Sequence, residues 1–158
     1  MSPAHPSFVV DAMLGKLSKW LRILGYDTLY ARSDDRGLIM SAIRDGRVLL
    51  TSDVDLFREA MKCRAEALLI RSSRLTDMLA DVANYIERTR GIRASDFLTP
   101  KSTRCTVCNG ELVEDQDERY RCTSCGKHYW QGSHWRNIER TFSAARSIAQ
   151  ERVARKVY

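Results

Sequence analysis

Four of the five cysteines in this sequence stand in two C-x-x-C pairs, Cys105/Cys108 and Cys122/Cys125, separated by thirteen residues. Thiolates suit a tetrahedral ion, and two short C-x-x-C turns can supply all four ligands, which points to a structural zinc. A glycine lies just beyond each pair, Gly110 and Gly126, where a tight turn aims backbone N–H groups at the sulfurs. Redox chemistry competes, but a thioredoxin-type motif is expected singly, after a strand inside a βαβ unit. A four-sulfur site has no open position for water, so this region is read as supporting the chemistry rather than performing it. Cys63, the remaining cysteine, reads as a small buried apolar residue.

Carboxylates form the second set. Asp11 ends the apolar run "FVV", Asp53 follows "VLLTS", Asp55 lies two residues later, and Asp34 and Asp35 open a helical stretch. In an open parallel sheet, ligands bind outside the carboxyl ends of the strands, and all five acids fall on that edge. Clustered carboxylates repel one another unless a hard cation lies among them, and oxygen ligands suit Mg²⁺ or Mn²⁺. Such ions activate water and stabilise a leaving oxygen in phosphodiester cleavage. Asp is equally a favoured helix N-cap. Each of these positions begins a helix, so spacing alone leaves ligand and cap both open.

The elements that must position these groups follow from periodicity. "FVV", "YDTLYA", "RVLLTS" and "AEALLIRSS" read as strands, and each is followed by a helical pattern. Leu14, Leu17, Leu21 and Leu24 mark the first helix, which Gly25 stops. Leu38, Ile39, Ala42 and Ile43 are assigned to the inner face of the second. Alternation of this kind predicts an α/β domain with a mainly parallel sheet over residues 1–98. A linker over 99–104, a zinc ribbon over 105–131 and a basic helix over 132–158 follow, the helix with Trp135, Ile138, Phe142, Ala145 and Ala149 on one stripe.

Lys and Arg total 26 against 20 acids, a net charge of +6, which is compatible with a polyanionic partner. From Ser133 onward six cations face two acids. Candidate contacts to RNA are therefore Arg136 and Arg140, with Lys16, Lys19 and Arg22 on the first helix. A solvated face competes, particularly for Lys19 and Arg22. With four thiolates available, His128 and His134 read as surface residues or polyanion contacts rather than ligands. Tyr129, Trp130 and Trp135 suit the small core of a ribbon, ahead of base stacking, which needs an exposed ring. The opening "MSPAHPSFVV" lacks a secretory pattern, and runs such as "VLL" and "ALLI" are too short for a bilayer. A reducing cytoplasm without membrane attachment is the expected setting.

The blocks "VVDAMLGKLSKWLRILGYDT", "RVLLTSD" and "YWQGSHW", joined by the double C-x-x-C, strongly resemble the Mut-seven C-terminal RNase family. The resemblance runs from about Phe8 to Asn137. It implies a PIN-like three-layer α/β sandwich fused to a zinc ribbon, with a metal-dependent ribonuclease site. Carried across residue by residue, it implies Asp11, Asp35 (or its neighbour Asp34) and Asp53 as Mg²⁺ or Mn²⁺ ligands, Asp55 as a further catalytic acid, and the four cysteines as zinc ligands. The loop between the cysteine pairs is shorter than is usual in that family. The function expected is hydrolysis of single-stranded RNA, gripped by the ribbon and basic helix, with the ribosome a further candidate partner. A non-catalytic RNA- or ribosome-binding factor is the alternative from another class. A Nob-one-like ribosomal RNA endonuclease fits the "YWQGSHW" block less well, and the ribbon weighs against a toxin.

Overall fold

Phe8, Val9 and Val10 are all fully buried, because the strand they form, β1 (Phe8–Asp11), is flanked on both edges and covered on both faces. The computed structural model describes residues 5–31, 33–101 and 103–156. Residues 1–4, Arg32, Ser102 in the expected linker, and 157–158 at the end of the expected basic helix lie outside them. β1 pairs in parallel with β2 (Thr28–Ala31) on one side and with β3 (Val48–Thr51) on the other, and β3 pairs in parallel with β4 (Ala67–Leu69). The sheet order is β2-β1-β3-β4. Unbroken apolar strands are what a parallel sheet covered on both faces requires.

Alternation along β1 sends Phe8 and Val10 into one core and Val9 into another. The first core is closed by α1 (Gly15–Ile23), α4 (Leu75–Arg90), α5 (Ala94–Phe97) and α6 (Trp135–Lys156). The second is closed by α2 (Asp35–Asp45) and α3 (Val54–Lys62), through Leu38, Ile39, Ala42, Leu56 and Ala60. Ile43 does not join them and is exposed. Asp34 caps α2 through a bond from the Gly37 N–H, and Gly46 ends that helix with a left-handed φ of 66°.

Leu98 and the turn α5 lie within the first core. Phe97 stacks on Tyr26 at 4.3 Å between ring centroids, and the Tyr26 hydroxyl donates to the Phe97 carbonyl at 2.7 Å. From α6, Phe142, Ala145 and Ala149 enter the same core with no exposure. Burying a side chain such as Phe142 contributes roughly 1.5–3 kcal/mol. Between α5 and α6, β5 (Leu112–Glu114), β6 (Tyr120–Cys122) and β7 (His128–Tyr129) form a small antiparallel sheet. Cys63 departs from expectation: it follows the last turn of α3 as its C-cap and is exposed. No helix among the described residues is long and apolar enough to cross a membrane.

Candidate functional site

The strand order reverses direction at β1 and β3. The chain runs outward from β1 to β2, then crosses to β3 on the opposite side. A crevice opens outside the carboxyl ends of two strands at such a switch point. Here those ends carry Asp11 and Thr51, with Asp53 two residues beyond. The buried Thr51 hydroxyl donates to Asp11 Oδ2 at 2.9 Å and accepts from the Asp53 N–H at 3.0 Å. One hydroxyl therefore ties the Asp11 carboxylate to the main chain at Asp53.

The acids divide between capping and not capping. Asp11 precedes a 3₁₀ turn, Ala12–Leu14, but its side chain makes no capping bond. Asp53 does cap α3: its Oδ1 accepts from the N–H groups of Asp55 and Leu56. Both bonds fall on Oδ1, which leaves Oδ2 for another partner. Asp34 spends Oδ1 on Gly37, whereas Asp35 and Asp55 are exposed acids in the first turns of α2 and α3. Tyr30, absent from the sequence expectations, braces this edge by donating its hydroxyl to the Ala12 carbonyl at 2.7 Å. Gly15 makes room for it, since a Cβ there would lie 3.0 Å from the Tyr30 oxygen.

Among the described residues, one group of three or more potential metal-binding side chains converges within 4.8 Å, and it is the four cysteines. The acids line an edge without closing on a point. Cys105 and Cys125 sulfurs lie 3.7 Å apart, and those of Cys108 and Cys122 lie 3.4 Å apart. Tetrahedral zinc with bonds of about 2.3 Å separates its sulfurs by about 3.8 Å, so the cluster fits a structural metal such as zinc. The N–H groups of Ser124 and Cys125 point at Cys122 Sγ, each at 3.4 Å. Burial would raise the Cys122 thiol, but these donors, with the neighbouring Cys108 and Cys125 thiols, outweigh it and bring it down to about 6. Gly126 takes the expected left-handed turn, at φ 77°. In the first turn that conformation falls instead on Asn109, at φ 69°, while Gly110 is needed for space: a Cβ there would lie 2.7 Å from Cys122 Sγ.

The first cysteine turn docks onto the open edge of β2. Thr28 faces away from β1, and Asn109 Oδ1 accepts its N–H at 2.9 Å. Arg22 Nε donates to the Thr28 carbonyl at 2.9 Å, while Nη1 reaches the carbonyls of Thr106 at 3.0 Å and Val107 at 3.3 Å. Arg22 is only 8% exposed. It is therefore a strut between sheet and ribbon, neither an RNA contact nor a solvated residue. Asn109 also donates to Asp27 Oδ1 at 2.7 Å, beside the Arg47–Asp27 ion pair. Burial opposes ionisation of Asp27, but the bonds from Arg47 and Asn109 prevail and hold its carboxyl below the usual range.

The remaining expected contacts separate by environment. Lys16, Arg136, Arg140, His128 and His134 are exposed. Trp130 is 61% exposed, which removes it from any ribbon core. Tyr129 and Trp135 are half-buried, and the Tyr129 hydroxyl lies 2.9 Å from Cys105 Sγ. Two cations of the basic helix are committed to packing: Arg146 donates to the Leu98 carbonyl at 2.9 Å, and Arg152 pairs with Asp77 and Asp81.

A family model described as the Mut7-C RNAse domain matches residues 6–121 and, in a second segment, 112–142. No curated protein and no solved structure matches the chain.

Proposed function

Since the chain belongs to the Mut7-C RNAse domain family, we propose that it is a metal-dependent ribonuclease cleaving phosphodiester bonds in single-stranded RNA, on a PIN-like α/β sandwich. The single observation that carries this reading is the Thr51 hydroxyl joining Asp11 to Asp53 at the switch point of the sheet. Asp11 has no cap to make, and Asp53 keeps one oxygen free after capping. Capping explains the free oxygen of Asp53 but not the Asp11 carboxylate held by Thr51. Asp35, which makes no capping bond, is the third acid, with Asp34, which caps α2 through Oδ1, as its neighbouring alternative. Asp55 is the fourth. Asp11, Asp35 and Asp53 would hold Mg²⁺ or Mn²⁺, which when bound supplies an activated water and stabilises the leaving oxygen.

The chain's own contribution is orientation. Thr51 fixes the Asp11 carboxylate, α3 fixes Asp53 through its first N–H groups, and Tyr30 with Gly15 holds the turn after Asp11. Residues 1–98 would carry the nuclease site, and the ribbon (105–131) with the basic helix (132–158) would hold the RNA. A reducing cytoplasm suits four thiolates awaiting zinc. The experiment is incubation with defined single-stranded and duplex RNAs, with Mg²⁺, with Mn²⁺ and without added metal, read as product ladders. Cleavage of single strands that depends on metal is expected, and no cleavage with either ion would overturn the proposal. The acids do not converge, which favours a second reading, a non-catalytic RNA- or ribosome-binding factor. That reading requires RNA binding without products in the same assay.

A further inference from the structure

The three tryptophans of the chain, Trp20, Trp130 and Trp135, all line one groove, although they come from α1, the loop after β7 and the start of α6. Its volume is about 480 Å³, within the range of roughly 300–1,000 Å³ usual for ligand pockets. Tyr120 and Tyr129 add two further rings to the wall. Three cations line it as well, Lys19, Arg104 and Lys127, and no carboxylate does.

These walls differ from the interior of a ribbon. Trp20 is anchored edge-on to Phe142, with ring centroids 5.3 Å apart, and Trp135 is held by a bond from its Nε1 to Glu139 at 3.1 Å. Trp130 makes no comparable commitment and presents most of its surface to solvent. Lys127 lies over the Tyr129 ring, 5.3 Å from its centroid, so a cation is held at the rim beside the aromatic wall. Anchored aromatic faces, the exposed Trp130 ring and a lining with three cations and no carboxylate together fit a ligand that is flat, apolar on its faces and anionic at its edge. A nucleobase on its phosphate backbone has that chemistry. A basic peptide would find no carboxylate in the groove for its cations.

We propose that this groove is a base-stacking subsite for unpaired nucleotides of single-stranded RNA, with Trp130 as the platform and Lys19 and Lys127 as phosphate contacts. It is built at the far end of α1 from Asp11, since Trp20 and Ile23 occupy the last turns of that helix. The proposal rests on RNA being the substrate, as above, but not on where cleavage occurs.

Because every tryptophan lies in the groove, intrinsic fluorescence reports its occupancy. The full zinc-loaded chain is titrated, without added Mg²⁺ or Mn²⁺, with a short oligoadenylate, an abasic strand of the same length and a blunt RNA duplex. The single strand should quench fluorescence, and the abasic strand and duplex should bind roughly 10-fold more weakly. Trp130→Ala should cost roughly 10-fold in affinity for the single strand and nothing for the abasic one, and Trp130→Phe should restore most of the loss. Lys127→Ala should weaken the single and abasic strands alike. Equal affinity for base-bearing and abasic strands, or parental binding by Trp130→Ala, overturns the proposal. So does a concentration-dependent dimer dissolved by Trp130→Ala, which would assign the groove to a second copy of the chain. Quenching by a chain that never cleaves RNA would refute the nuclease and leave the groove standing. Cleavage without quenching would do the reverse.

Discussion

The Thr51 hydroxyl reaches across from β3 to Asp11 at the end of β1, 2.9 Å from Oδ2. Asp11→Asn keeps an oxygen to accept that bond but removes a charge from the proposed metal site. Cleavage should fall about 100-fold or more while the fold persists. Asp53→Asn should behave alike, since Asn caps a helix nearly as well as Asp. Parental cleavage rates from the double variant, with both proteins folded by circular dichroism, would show that the acid edge is not the active site.

Thr51→Val tests the tie itself. The part-buried Asp53 N–H loses its acceptor, so unfolding should become easier by about 1 kcal/mol. Cleavage should drop further than that loss explains, because Asp11 is no longer oriented. Urea denaturation and cleavage rates measured on the same preparation separate the two effects. An unchanged rate constant in the folded protein would assign Thr51 a purely structural part.

Much of this arrangement is legible in the sequence, and the illegible part has a common cause. The strand ends bearing Asp11 and Asp53 follow from apolar runs that stop at an acid, and the cysteine cluster follows from spacing. Arg22 reads as solvated because it sits beside the stripe of Leu17, Leu21 and Leu24, and two of its three partners, the carbonyls of Thr106 and Val107, lie more than eighty positions away. Asn109 gave a local sign, an Asn in a turn that tolerates positive φ, but nothing nearby names Thr28. The turn α5 is too short to show a period, and Trp130 could be told from a core residue only by its exposure.

Zinc should be bound in a ratio of one per chain, and Cys122→Ser should abolish it. Hydrogen exchange is the appropriate readout. Protection should be lost across β5, β6 and β7, while β1 and β3 at the centre of the parallel sheet remain protected. A chain purified under reducing conditions without zinc would refute the metal assignment.

Binding to RNA should weaken with salt, and Arg136 and Arg140 are the exposed cations of α6 to test. For single strands each phosphate contact contributes about 0.7 to the slope of log affinity against log salt, so neutralising both should reduce the slope by about 1.4. Arg146→Gln should lower stability instead, because its guanidinium serves the Leu98 carbonyl. An unchanged slope in the double variant would make these charges a solvated face.

Asn109→Gly keeps the left-handed turn but removes the amide from Thr28. Stability should fall by about 1–3 kcal/mol, and Arg22→Met should cost a similar amount by stripping the Thr28 carbonyl. Chemical denaturation of each variant with zinc bound checks both. A null result for the two together would mean that the edge is satisfied by solvent.

The seating of the first cysteine turn on Thr28 also bears on what the protein becomes when zinc is scarce. β2 is the outer strand of a parallel sheet, and an uncovered outer strand offers its N–H and C=O groups to any other chain able to pair with them. Asn109 accepts the Thr28 N–H from within the turn that holds Cys105 and Cys108, whereas Arg22 reaches the Thr28 carbonyl from α1. Starved of metal, the ribbon would release that edge, and the molecule would gain a surface for templated self-association. A metal held by the four cysteines would thus guard a neighbouring sheet, none of whose strands supplies it a ligand, against edge-to-edge pairing.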